Sequence, residues 1–296
     1  MVLKKLSSSF LRLIGSTAPV DGVLFEGSYW KNSVDYGSVY PRTFEDLIRF
    51  YPLALKVVEK EVGKLGDKVS VSIPAENFLK DIKTGEKVIS RIKNEIEKEN
   101  KKEAIVLPQG ASAIAEIISN VHLEPATTLI IDGGFNTINV VVVNENNKVV
   151  YARSYYNEFG IRNLLERYFR PLVEQVLPTV SLNHQVLKKA FLQGYMPNGF
   201  DYVSLENERD LAVKSFVPEV MDAIKNDLTI HGIDFEQFVI VGGLSYYIPA
   251  SSIQTKKKFY IPEKEGEFLT VKGMNKISDL NSIDFGFGDI KILIQQ

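Results

Sequence analysis

Apolar positions recur along the chain at periods of about 2 and about 3.6, which divides it into strands and helices. Residues 2–6, 10–14 and 23–30 read as short strands, with turn signals at Gly15-Ser16 and Asp21-Gly22. Leu47, Ile48, Leu53, Val57, Val58 and Val62 then form a helical stripe over Phe44–Val62. Thr43 suits its N-cap and Glu45 and Asp46 its first turn, where the helix dipole favours acids. Pro52 removes a backbone bond and predicts a kink or a split. Lys68–Ile73 alternates as a strand and stops at Pro74. Residues 81–100 predict one charged amphipathic helix, with Ile82, Val88, Ile89, Ile92 and Ile96 on its face. Residues 104–107 form a buried-type strand running into Gln109, and 111–119 a helix.

After Pro125 the grammar starts again. A hairpin over 129–143 is followed by a turn at 144–147, a strand over 149–155 and a helix that Gly160-Ile161 opens, running to Val176. Further helices are expected at 183–192, 206–211 and 216–230. A strand at 238–241 leads into Gly242-Gly243. Strands at 259–261 and 267–271 and a helix at 271–280 lead to a last hairpin over 282–296.

That last hairpin reads S-I-D-F-G-F-G-D-I-K-I-L-I-Q-Q. Asp284 opens the turn, Gly286 and Gly288 permit a tight bend, and Lys291 begins the second strand. Successive backbone N–H groups in such a turn make an anion nest, and a lysine beside it supplies a point charge for phosphate. The acid does not favour phosphate directly, so it calls for a cation between them, most simply hydrated Mg²⁺. The same residues also suit an ordinary glycine-rich hairpin with a solvated lysine. The hairpin T-T-L-I-I-D-G-G-F-N-T-I-N-V-V-V-V repeats the pattern with Asp132, Gly133, Gly134, Asn136 and Thr137. Two acid-and-glycine hairpins suggest two loops closing on one polyphosphate. Gly242-Gly243 offers bare backbone against which a base or ribose can lie.

Composition narrows the choice. The chain has 296 residues, 45% of them hydrophobic, enough for two modest domains or one large one. Its 35 basic and 37 acidic residues leave a net charge of −2, which argues against a nucleic-acid binder held by a general positive field. It has no cysteine, so neither disulfides nor a thiolate metal site arise, and only His122, His184 and His231 are available as imidazoles. No apolar run reaches the ~18 residues that a membrane span needs. The first residues contain two lysines but no continuous apolar core, so the expected location is cytoplasmic.

The three glycine loops together resemble the actin, heat-shock chaperone and sugar-kinase superfamily of ATPases. The Asp284-to-Lys291 stretch is similar to its phosphate-1 loop, Asp132 to Thr137 to its phosphate-2 loop, and Gly242-Gly243 to its adenosine loop. P-Q-G at 108–110, followed by a small-residue helix, looks most like the archaeal and plasmid-segregation actins. The resemblance implies a mixed α/β fold of two actin-like, ribonuclease-H-like domains, mixed sheets flanked by helices, with a nucleotide cleft between them. It implies that Asp284 and Asp132 hold Mg²⁺ through water, that Lys291 contacts β/γ oxygens and that Gln109 orients the attacking water. Gly286, Gly288, Gly133, Gly134, Asn136 and Thr137 would cradle phosphate, and Gly242, Gly243 and Gly160 would approach the nucleoside. Each also has a plainer reading as a turn, strand or capping residue. The Gly-Gly pair carries Leu244 where a third glycine is common.

The larger departure is order, because phosphate-1 stands first in the superfamily and last here. A circular permutation is therefore expected, with Gln296 beside Met1. Domain I would be 1–125 completed by 265–296, and domain II 126–264. The expected function is an actin-like ATPase that binds and hydrolyses Mg-ATP and polymerises with itself, with an adaptor or DNA-bound partner, as in plasmid segregation. The alternatives are an ATP-dependent metabolite kinase, which needs a further aspartate base, and a non-polymerising ATP-binding scaffold.

Overall fold

The computed structural model describes residues 1–35, 37–120 and 123–295. His122 and Gln296 lie outside the described residues. Among the described residues, fifteen strands follow one another. The first six are β1 (Val2–Ser7), β2 (Phe10–Leu13), β3 (Val23–Phe25), β4 (Ser28–Asn32), β5 (Lys68–Ile73) and β6 (Glu103–Pro108). Then come β7 (Thr128–Gly133), β8 (Thr137–Val143), β9 (Val149–Tyr156), β10 (Tyr195–Asn198) and β11 (Asp201–Ser204). The last four are β12 (Gln237–Val241), β13 (Lys258–Tyr260), β14 (Ser282–Phe285) and β15 (Asp289–Ile294). The chain forms two compact units, one of Met1–Glu124 with Phe268–Gln296 and one of Pro125–Glu267.

The first unit is built on a five-stranded sheet in the order β1-β15-β14-β5-β6. β14 is central: it runs antiparallel to β15 and parallel to β5. β15 pairs in turn with β1, Ile290 facing Leu6 and Ile294 facing Val2. The second unit has a sheet in the order β13-β12-β7-β8-β9. Taken as β14, β15, β1, β5, β6, the first sheet has the neighbours and directions of β7, β8, β9, β12, β13 in the second. In each, an antiparallel meander supplies three strands and parallel crossovers the other two, and helices give the sheet a second layer.

Local chemistry explains most elements. Thr43 accepts from the Asp46 N–H while the Asp46 carboxylate accepts from the Thr43 N–H, so Phe44–Val62 begins with a reciprocal capping box. That helix stays whole through Pro52, because nine buried side chains on either side of the proline hold it in the core. Phe285 and Tyr51 meet edge to face at 5.1 Å, which ties the terminal hairpin to this helix within the core.

Several sequence expectations change. Residues 23–30 form a hairpin of β3 and β4, because Glu26 (φ 47°) and Gly27 (φ 70°) turn the chain with the twist that two-residue hairpins favour. The single helix over 81–100 is two, Ala75–Thr84 and Val88–Asn100. The first ends at Gly85, and the Asp81 carboxylate accepts the Ile89 N–H of the second at 2.6 Å. Conversely, 206–211 and 216–230 are one helix, Glu206–Ile230, which runs through Pro218. Residues 267–271 are not a strand: Gly266–Phe268 is a 3₁₀ turn leading into the helix Leu269–Ser278. The hairpin of β10 and β11 had no counterpart in the sequence reading.

Candidate functional site

In the first unit the chemistry gathers at the carboxyl ends of three parallel strands, β14, β5 and β6. Open α/β sheets hold ligands at such strand ends, where successive strands release their chains into loops. Asp284 lies near the end of β14 and is 2% exposed. Gln109 follows β6, and its amide Nε2 donates to Asp284 Oδ1 at 2.8 Å. The Ser72 hydroxyl, at the end of β5, donates to the same oxygen at 2.5 Å. Lys291 Nζ stands 3.5 Å from Asp284 Oδ2. The Tyr51 hydroxyl is buried beside this group. Burial, and then the Asp284 charge, push its phenol well above the ordinary tyrosine value.

Gly286 opens the expected tight bend, its N–H donating to the Asp289 carbonyl at 3.1 Å. Its φ lies outside the left-handed region, and what its missing side chain leaves is room. A methyl there would come within 3.4 Å of Lys291 Nζ and 3.9 Å of Gln109 Nε2. The turn itself is fastened from behind. Ser8 donates its hydroxyl to the Gly286 carbonyl at 2.5 Å and its N–H to the Gly288 carbonyl at 3.1 Å.

The second unit has its own cluster where β7 and β12 end side by side. Asp132, 8% exposed, is the register partner of Val241, the last residue of β12. Gly242 follows with φ +77°, and a Cβ there would collide with Asp132 Oδ1 and lie 2.5 Å from the Gly133 carbonyl. Only glycine meets both demands. Leu244, fully buried, lies directly over Gly133, so a side chain at 133 would strike it. The place of a third glycine is thus taken by a core residue that locks one loop onto the other.

The segment after β9 wraps the Gly134–Thr137 turn. Asn157, Ile161 and Arg162 give their N–H groups to the carbonyls of Asn136, Gly134 and Phe135 at 2.8, 3.1 and 2.9 Å. Gly160 packs on this turn: a Cβ there would lie 2.8 Å from the Phe135 carbonyl and 3.1 Å from the Thr137 nitrogen. With the turn's carbonyls drawn to one side, Asn136 keeps a buried side-chain oxygen with no hydrogen-bond partner among the described residues. Gly243 rests on Ile161 below it. Asp132, Gly133, Gly134, Asn136, Thr137, Gly160, Gly242 and Gly243 therefore form one cluster, and Asp284, Gly286, Lys291 and Gln109 another.

No protein-family model matches the chain, and no curated protein matches it by sequence. Solved structures do. The chain is similar to Ta0583, an archaeal actin homolog, at 14% identity over 92% of this chain and 91% of that one, with a TM-score of 0.65. It is similar to MreB5 of Spiroplasma citri bound to ADP, at 11% identity over 92% and 88% of the two chains, with a TM-score of 0.54. A non-polymerisable quadruple mutant of pCBH ParM matches at 16% identity over 80% and 76%, with a TM-score of 0.52. The chain has an actin-like fold.

In this actin-like chain the residues suit a magnesium nucleotide. The space over Gly286, bounded by an ammonium and an amide, accepts phosphate oxygens, and the buried Asp284 carboxylate matches a hydrated cation. Among the described residues no group of three or more His, Cys, Asp or Glu could ligate a metal directly. A cation at Asp284 would therefore be held through its waters.

Sequence reasoning missed Ser72, Tyr51 and Gly266. Ser72 had a visible signal. β5 reads K-V-S-V-S-I with five buried residues, and two serines alternating in a buried strand need partners. Ser70 finds Ser282 at 2.6 Å and Ser72 finds Asp284. Gly266 accepts the Gly242 N–H at 3.0 Å and packs on Ser245, a role that only the folded second unit reveals.

Proposed function

We propose that this protein is an actin-like ATPase that binds Mg-ATP, hydrolyses it and assembles with copies of itself into filaments in the cytoplasm. The observation that carries the reading is the meeting of Asp284, Lys291 and Gln109 at the ends of parallel strands. A second acid-and-glycine loop stands at the matching position of the other sheet. Solved relatives support it. Ta0583 and MreB5 have been seen with ADP, and the ParM variant is described as non-polymerisable.

When bound, Mg²⁺ would neutralise phosphate charge. Asp284 and Asp132 would orient the cation's waters. Lys291 would meet the β/γ oxygens, and Gln109, an amide able to donate and accept, would aim the attacking water. Phosphoryl transfer asks little more of a protein than such placement. Gly133, Gly134, Asn136 and Thr137 would cradle phosphate, and Gly242, Gly243 and Gly160 would let the nucleoside approach. A filament follows if a head-to-tail contact repeats without closing. We further propose that the chain is a circular permutant of the actin-like fold, since β14 and β15 come last in the sequence yet take the positions that β7 and β8 take in the other sheet. An adaptor or DNA-bound partner would give the filament its cargo.

The test is light scattering and sedimentation across micromolar protein, with and without Mg-ATP, beside phosphate release. ATP-dependent pelleting is expected, and Asp132→Ala should abolish phosphate release. A protein that binds ATP but stays monomeric at every concentration favours the metabolite kinase or the scaffold. Phosphate release unchanged by Asp132→Ala removes the site assignment.

A further inference from the structure

We propose that Ser72 is a positioning residue that presents one oxygen of Asp284 to the hydrated cation. The proposal rests on the Mg-nucleotide reading above. Asp284 Oδ1 receives two donors, the Ser72 hydroxyl at 2.5 Å and Gln109 Nε2 at 2.8 Å. Two strong donors occupy that oxygen's lone pairs, and Oδ2, on the Lys291 side, becomes the oxygen offered to incoming charge. An amide can donate to Asp284 and still meet a water with its other N–H or its carbonyl, and Ser72 keeps Oδ1 held when Gln109 swings toward that water.

Ser72 is itself constrained. It is 1% exposed, lies on a strand buried throughout its last five residues, and stands beside the buried Tyr51 hydroxyl. The other sheet makes an internal comparison. There the acid Asp132 is paired with Val241, a residue without a hydroxyl, and borders Gly242. The residue alongside the acid on the next parallel strand thus carries a hydroxyl in the first sheet and none in the second. Charge-assisted hydrogen bonds of this kind are the strong ones, so losing the clamp should be felt wherever the carboxylate's direction matters.

The experiment measures binding of a fluorescent ADP analogue at fixed nucleotide while Mg²⁺ is titrated, and again in EDTA. In Ser72→Ala the half-saturating Mg²⁺ concentration should rise about tenfold, as expected for one lost hydrogen bond to a charged group. Metal-free affinity should stay within about twofold, as positioning without direct nucleotide contact requires. Ser72→Thr, which keeps the hydroxyl, should restore the Mg²⁺ dependence. Thermal melts report folding, and if Ser72→Ala does not fold, the Ser72→Cys titration decides, its weak thiol donor predicting a rise in the same direction. Equal losses with and without Mg²⁺ would make Ser72 merely structural and overturn the proposal, as would unchanged binding in a folded Ser72→Ala. Wild-type protein that binds no nucleotide in either condition overturns the underlying reading instead.

Discussion

Asp284 and Lys291 are register partners, directly opposite each other across the terminal hairpin, with Nζ 3.5 Å from Oδ2. Their spacing in the sequence is therefore the spacing of two residues that face one another over a short turn. The side chains are 3% and 15% exposed. Removing one partner leaves a buried charge uncompensated, which costs about 3 kcal/mol at the lower end of the usual range. Lys291→Met should lose about that much in urea unfolding and should bind nucleotide more weakly. A loss indistinguishable from zero would mean that solvent already screens the pair.

Gln109→Ala should separate catalysis from binding. An amide that aims water acts mainly in the transition state, so turnover should fall by tenfold or more while ADP affinity moves about twofold. Steady-state phosphate release and equilibrium ADP binding check this. Equal losses in both would leave Gln109 as a structural partner of Asp284 only.

Deletion of residues 282–296 should prevent the first unit from folding. It removes the central strand β14 with its neighbour β15, and with them Phe285 from against Tyr51 and Phe10. Cavity costs of several kcal/mol per large core side chain exceed what a marginally stable unit tolerates. Circular dichroism melts and nucleotide binding of the truncated chain decide; a stable, ADP-binding product contradicts the sheet order described.

Alkaline pH should destabilise the protein through its buried and half-buried phenols. Burial, and then a hydrogen bond to Glu219, push Tyr168 up from 10.0 to about 12. A raised value means that the folded state holds the proton more tightly than the unfolded chain does. The contribution is complete below pH 10 and is lost as pH rises from there through about 12. Tyr51, Tyr151 and Tyr155 shift in the same direction. Melting temperature should fall across that window, and Tyr168→Phe should flatten part of the slope. An unchanged slope would assign the effect to the other three.

What the sequence disclosed was local. The two loops stood out because the same acid-and-glycine pattern occurs twice between apolar runs, although each alone also suits an ordinary turn, and Thr43 and Asp46 marked a helix start that holds. What stayed hidden depended on partners distant in the chain. Ser72 and Asp284 are 212 residues apart, and nothing near Ser72 says which side chain it meets. Leu244 looked like a departure from a glycine pattern until Gly133 was found beneath it. The helix boundaries at Gly85 and Pro218 went wrong in opposite senses. At Gly85 a local stop signal was overlooked within a long charged pattern, and at Pro218 burial of Phe216, Val217 and Val220 overrode a local breaker.

The placement of β14 has a consequence in time. A ribosome makes the whole of Pro125–Glu267 before it makes the strand on which the first sheet is centred. The second unit can fold while the chain is still emerging, since all its strands are contiguous. The first must wait with β1, β5 and β6 already synthesised and no strand to join them. It closes only when residues some 280 positions downstream arrive, a long loop closure that slows folding. A chain that has not yet reached residue 282 therefore carries Asp132 and its glycines but neither Asp284 nor Lys291.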